Sequence, residues 1–112
     1  MFGKKKKPVI NNEEYGAFIV SNNVVKGRPI LYSYREESSI PQFNGWTIYS
    51  CDDSQEYIEN PDNFVPVNAT SIYKIAPVML ELFDAPYGTD LCWIYEGNTL
   101  VGFYDLAGDI KT

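Results

Sequence analysis

Histidine does not occur in the 112-residue chain, and cysteine occurs only twice, at Cys51 and Cys92. Without an imidazole, Ser-His-Asp and Cys-His arrangements lack their base. Zinc sites that use histidine are excluded too, and two cysteines this far apart match no zinc spacing. The eight glycines are scattered among turn positions, so there is no glycine-rich phosphate loop. No apolar run is long enough to cross a bilayer, and residues 1–30 hold no apolar stretch of signal-peptide length. The expectation is a cytoplasmic protein with reduced thiols. Both cysteines are expected to be small core residues, because Cys51 precedes Asp52-Asp53 and has no cationic neighbour to make it reactive. No cofactor and no metal are expected, and binding is favoured over catalysis.

Basic residues are also scarce: nine against fifteen acidic ones, for a net charge of −6. Four of the nine form the run Lys4–Lys7, and setting that run aside leaves five against fifteen, a body of −10. Such a body repels phosphate backbones, so a nucleic-acid partner is not expected. It attracts a basic protein and speeds the encounter. The lysine run reads as a solvated tail, and stable membrane anchoring would need a second signal that is absent.

What the chain does have is aromatic bulk. Nine Tyr, six Phe and two Trp make up 15% of it, within an apolar fraction of 45%. That fills the core of one domain and leaves tyrosines over for a surface. Residues 1–14 read as a basic and polar tail, 15–104 as a single domain and 105–112 as a second tail.

Periodicity predicts an α+β fold: a mainly antiparallel sheet of about five strands, short helices packed on one side, and a C-terminal β-hairpin. Strands are expected at Gly16–Ser21, Ile30–Arg35 and Trp46–Cys51. In the second, Ile30, Tyr32 and Tyr34 share one face; in the third, Trp46, Ile48 and Ser50 do. Asn22-Asn23 reads as a turn, with Val24-Val25 pairing beyond it, and Glu37–Gly45 as a loop. Ser54 caps a short helix over Gln55–Glu59, which Pro61 stops. Pro66 confines Val65–Val67 to a sheet edge. Ser71 is the expected cap of a helical turn through Ile75, and Pro77 opens a helix over Val78–Phe83. Leu91–Glu96 and Thr99–Tyr104 flank the two-residue turn Gly97-Asn98. That register sets Tyr95 opposite Leu100, Ile94 opposite Val101, and Trp93 opposite Gly102, which leaves room for the indole.

Two clusters carry the functional expectation. Asp52, Asp53, Glu56, Glu59 and Asp62 lack the pattern of a calcium loop, which leaves a solvated acidic helix or an acidic docking face. Tyr32-Ser33-Tyr34-Arg35-Glu36-Glu37 reads either as an arginine–carboxylate pair at a sheet end or as an interface hot spot. The candidate partner-binding set is Tyr32, Tyr34, Arg35, Glu36, Glu37, Trp46, Asp52, Asp53, Glu56 and Tyr57. Two rival readings stand beside it. One is a small-ligand or enzyme pocket around Arg35, Tyr34 and Trp46, with Arg35 holding an anion by its planar fork. The other is a homodimer through the apolar C-terminal hairpin.

The order of several short segments resembles a bacterial family. They are Gly16-Ala17-Phe18-Ile19-Val20-Ser21, Tyr34-Arg35-Glu36-Glu37, Gly45-Trp46, Ser50-Cys51-Asp52-Asp53, Glu56-Tyr57 and Pro61-Asp62-Asn63, closed by Ile75-Ala76-Pro77 and Pro86-Tyr87-Gly88. They are similar to the immunity protein 33-like domain family, formerly domain of unknown function 2185. The resemblance runs from about Gly16 to about Leu91. It departs at Cys51, where the family often has Gly, in a longer stretch from Pro77 to Pro86, and in a hairpin that looks like an addition. It implies an α+β immunity protein that binds and blocks a cognate toxin, and a non-catalytic role.

Overall fold

The computed structural model describes residues 12–106, so the Lys4–Lys7 run and residues 107–112 lie outside the described residues. Its fold is α+β, built on a six-stranded sheet. In chain order the strands are β1 (Ala17–Ser21), β2 (Ile30–Arg35), β3 (Phe43–Ser50), β4 (Phe64–Val67), β5 (Asp90–Glu96) and β6 (Thr99–Asp105). They lie side by side as β4-β1-β3-β2-β5-β6. Only β1 and β3 run parallel; every other neighbouring pair is antiparallel. The helices are short: α1 (Asn12–Tyr15), α2 (Asn22–Val25), α3 (Gln55–Ile58), α4 (Ala69–Ile75) and α5 (Val78–Leu82), with a 3₁₀ turn at Pro61–Asn63. None of the described helices is long and apolar enough to cross a membrane.

Local chemistry explains most of these elements. Asn22–Val25 is helical rather than a turn followed by a strand, because Ser21 caps it: its Oγ accepts the Val24 N–H at 3.3 Å. That turn of helix sinks Val24 completely into the core. Ser54 caps α3 as expected, accepting the Tyr57 N–H at 3.1 Å. For α4 the cap is Asn68, not Ser71; its Oδ1 accepts the Ser71 N–H at 2.9 Å. Pro66 sits in an edge strand as expected, opposite Ile19.

β3 begins at Phe43, so the expected loop through Gly45 ends three residues earlier, at Gln42, and the strand alternates without a break. Asn44, Trp46, Ile48 and Ser50 are buried, and the residues between them are half-buried. Trp46 and Ile48 join Phe18, Ile72, Met79 and Leu91 among the fully enclosed large side chains. Each such burial stabilises the fold by about 1.5–3 kcal/mol. The polar tips in this layer all find partners. Trp46 Nε1 donates to the Phe83 carbonyl at 2.9 Å, Trp93 Nε1 to Ser33 Oγ at 2.9 Å, and the Tyr95 hydroxyl to the Ile30 carbonyl at 2.8 Å. Helices α4 and α5 supply Ala69, Ile72 and Met79 to this core, and the turn between them adds Ala76, so they cover that face of the sheet.

Two β-bulges change the facing expected from strict alternation. In β2, Ile30 pairs with Ser50 and Tyr32 with Tyr49, which leaves Leu31 as an extra residue. Ile30 and Ser33 therefore both point into the core, while Tyr32 and Tyr34 point the other way. Ile30 does not share their face. In the C-terminal hairpin, Gly97 takes φ +61, the first-position geometry of a II′ turn, and Tyr95 meets Leu100 as expected. Val101 is then skipped: Ile94 meets Gly102 and Trp93 meets Phe103. The indole packs edge-on against the Phe103 ring at 5.1 Å instead of over a glycine.

Gly45 is the tightest backbone position. It has φ +93, and a Cβ there would lie 2.2 Å from the Glu36 carbonyl oxygen. The Glu36 N–H is itself bonded to the Gly45 carbonyl at 3.0 Å, so neither strand can retreat without losing this contact. Gly45→Ala is expected to destabilise the protein by about 2 kcal/mol or more, whereas Gly97→Ala, with open space around its site, is expected to cost less. Denaturant melts of the two variants compare the costs directly.

Candidate functional site

The helices pack on the face carrying Trp46, and the opposite face bears two rows of side chains set by strand register. One row crosses four strands as Tyr49, Tyr32, Cys92 and Tyr104. The other crosses five as Pro66, Ile19, Thr47, Tyr34 and Asp90. Tyr32 and Tyr49 stack at 5.3 Å, Tyr34 meets Tyr49 edge-on at 5.8 Å, and Phe64 closes on Tyr49 at 5.7 Å. At the hairpin end of this face, Ile94 and Tyr104 are 42% and 48% exposed, values far from those of core residues.

The surface between the rows is shallowly concave. A depression of about 330 Å³ is lined by Ile19, Tyr34, Thr47, Tyr49 and Phe64, with Ile58 of α3 and Pro61 forming its wall. A second, of about 300 Å³, shares Ile19 and Thr47 and ends on Glu36 and Glu37. The two form one groove that passes from an aromatic end to an acidic one.

Burial pushes the Tyr32 hydroxyl well above the usual tyrosine range, and the neighbouring Asp90 carboxylate adds to the effect. Burial does the same to Tyr49, with a smaller contribution from the Tyr34 hydroxyl 3.5 Å away. Asp90 Oδ1 is buried and has no hydrogen-bond partner among the described residues.

Of the expected site residues, Tyr34, Glu36 and Glu37 line this groove, Tyr32 stacks on Tyr49 beside it, and Glu56 is exposed on α3, near Ile58 in sequence. The others have different surroundings. Trp46 is fully buried with its indole committed to Phe83, so it is core and not contact surface. Arg35 follows Tyr34 in the strand and points to the helix side. Its Nε donates to the Asn44 carbonyl at 2.8 Å and an Nη to the Ala85 carbonyl at 2.8 Å. Its guanidinium carbon lies 4.6 Å from the Tyr87 ring centre and 5.3 Å from that of Phe83. Arg35 therefore ties the segment after α5 to the sheet. Tyr34 and Trp46 lie on opposite faces, so a pocket shared by Arg35, Tyr34 and Trp46 does not form.

The acidic segment also divides. Asp53 locks its own turn, accepting the Ser50 N–H at 2.8 Å and the Asn23 amide at 2.7 Å. Asp52 forms an exposed ion pair with Arg28, which holds its carboxyl below the usual range. Tyr57 is half-buried, and its carbonyl accepts the Asn63 amide at 2.9 Å. Cys51 is exposed rather than in the core, because the chain leaves the sheet just before it, and Cys92 is half-buried; both are free thiols. Among the described residues, no group of three or more Cys, Asp or Glu is placed to hold a metal ion.

The set read from sequence left out Tyr49, Phe64 and Asp90. For Tyr49 the signal was present: the alternation that sends Ile48 and Ser50 inward sends Tyr49 outward. Phe64 and Asp90 depend on which strands pair, and no local pattern reveals that.

The domain is thus a small α+β unit with α4 and α5 on one sheet face and a half-buried aromatic cluster on the other. The model of the immunity protein Imm33 domain matches residues 18–101, and the chain belongs to this family. The match extends through β5 into β6, so the hairpin is part of the family domain for most of its length and not an addition. No curated protein and no solved structure matches the chain.

Two predictions separate structural from surface roles. Arg35→Met is expected to lower stability by about 2 kcal/mol through the loss of two charge-assisted hydrogen bonds, measured by denaturant melts. Alkaline titration followed by tyrosinate absorbance should show three late-ionising hydroxyls, Tyr32, Tyr49 and Tyr95, each raised by burial, and Tyr32→Phe and Tyr49→Phe should each remove one. Because the folded state holds these protons more tightly, stability is full below the ordinary tyrosine range, around pH 10, and falls as pH rises above it.

Proposed function

We propose that this protein is a non-catalytic immunity protein that binds a cognate toxin and blocks it by covering its working surface. The contact is the open sheet face: Tyr32, Tyr34, Tyr49 and Phe64 form its centre, and Glu36, Glu37 and Glu56 lie at its acidic margin. The single observation that carries this reading is a half-buried tyrosine cluster on the sheet face opposite the one that α4 and α5 pack against. Stacked tyrosines give large contact area at small cost in side-chain entropy, and they dominate interface energetics. The surplus of carboxylates over basic residues favours a basic toxin and a fast, salt-sensitive encounter. Inhibition then needs only exclusion of the toxin's substrate, which fits a chain with no imidazole.

The test begins with the neighbouring genes: a toxin domain encoded there should be bound by this protein and neutralised by it in cells. Tyr34→Ala with Tyr49→Ala should weaken binding by about 30-fold or more and abolish protection of cells expressing the toxin. Glu36→Lys with Glu37→Lys should slow association and flatten its salt dependence. Arg35→Met, once folded, should bind as the parent does. Undiminished protection by the double tyrosine variant would remove the open face from the mechanism.

The exposed Ile94, Val101 and Tyr104 favour one additional reading, a homodimer through the C-terminal hairpin. A monomeric mass in sedimentation at high concentration would dismiss it.

A further inference from the structure

On the helix side of the sheet, a second groove runs between the hairpin tip and the turn joining α4 to α5. It has a volume of about 630 Å³. Trp93, Tyr95, Leu100 and Val78 give it an apolar floor, and Arg28 and Lys74 stand in its lining. The groove is set apart by the sign of its charge. Fourteen acidic residues lie in the described part of the chain, against four basic ones: Lys26, Arg28, Arg35 and Lys74. Arg35 is committed to backbone carbonyls at the other end of the sheet. Of the remaining three, Arg28 and Lys74 line the groove, and Lys26 stands in sequence between its lining residues Val25 and Gly27. Arg28 is balanced by Asp52, but Lys26 and Lys74 are exposed, and no described group pairs with either.

We infer that this groove binds an extended apolar segment of a partner polypeptide that carries a carboxylate, its leucine- or phenylalanine-like side chains on the Trp93–Leu100 floor and its Asp or Glu against Lys74 and Lys26. Charge complementarity selects this occupant. Among the described residues the rest of the surface is predominantly acidic, so an anion is drawn to the rim that holds Arg28 and Lys74, and the apolar floor supplies area that a free anion could not use. The tyrosine face lies on the opposite side of the sheet. A toxin seated there leaves this groove open, so both sites can be filled at once.

The test uses the full chain to pan a random short-peptide display library at low ionic strength. Enriched peptides are expected to combine Asp or Glu with Leu, Phe or Trp. For the synthesised consensus, changing its carboxylate to the amide and changing Lys74→Glu should each weaken binding about tenfold. A lysine in place of that carboxylate should restore binding to the Lys74→Glu protein, and Tyr34→Ala should leave the affinity unchanged. Lys74 is exposed, so its variant is expected to melt like the parent; the amide peptide on the parent protein tests the same contact without any substitution. Enrichment of basic peptides, no enrichment at all, equal binding to the Lys74→Glu protein, or loss through Tyr34→Ala would each overturn the inference. So would a concentration-dependent dimer that Lys74→Glu dissociates, since a second copy would then be the occupant.

Discussion

The unbroken alternation of β3 is the constraint on which the rest of this structure depends. Asn44, Trp46, Ile48 and Ser50 face one way, and a single layer of short helices meets them there. Trp46 is the pivot of that layer. Its ring is fully enclosed, and its indole N–H reaches across to the Phe83 carbonyl at the end of α5. Arg35, paired with Trp46 across the strands, fastens the segment that follows through Ala85 and Tyr87. Once these two residues hold the helices to one face, nothing remains among the described elements to cover most of the other. The tyrosine cluster is the geometric remainder of that commitment.

Burial and exposure are thus two results of one pleat. Tyr32, Tyr34 and Tyr49 are kept ordered by one another and by Phe64, which explains how an open aromatic face can keep its shape before any partner arrives. Such pre-organisation favours tight binding, because little rotamer freedom is left to lose. The acidic residues divide by the same logic. Asp53 faces inward and stabilises a turn, and Asp52 balances Arg28; Glu36, Glu37 and Glu56 stay in solvent, where their charge acts at a distance.

Local patterns carried much of the fold. The strands at Ile30–Arg35 and after Trp46, the edge strand marked by Pro66, the Ser54 cap and the Gly97-Asn98 turn all rest on residue chemistry that acts within a few positions. The errors arose where two segments compete or meet. Ser21 and Asn68 acted as caps because the following residues could bury a helical face, Val24 in one case and Ile72 in the other. Both bulges inserted a residue, Leu31 and Val101, that local alternation cannot distinguish from its neighbours. A one-residue slip moves every later side chain to the other face, which is why Ile30 parted from Tyr32 and Trp93 met Phe103. The candidate site suffered most at Trp46 and Arg35. These residue types are common in interfaces and equally suited to bridging sheet and helix, and sequence does not tell which.

By itself, then, the sequence determined what this protein has to work with: no imidazole, a surplus of carboxylates, aromatics beyond the needs of one core, and the pleated and capped segments into which they fall. Those properties belong to composition and to neighbours a few residues apart. Tertiary structure alone decided which face of the sheet α4 and α5 would take, that Phe64 and Asp90 would join Tyr32, Tyr34 and Tyr49, and that Arg28 and Lys74 would meet at one groove. Each of these joins residues distant along the chain, and only the pairing order of the strands, fixed by burying Trp46 and its neighbours, brings them together.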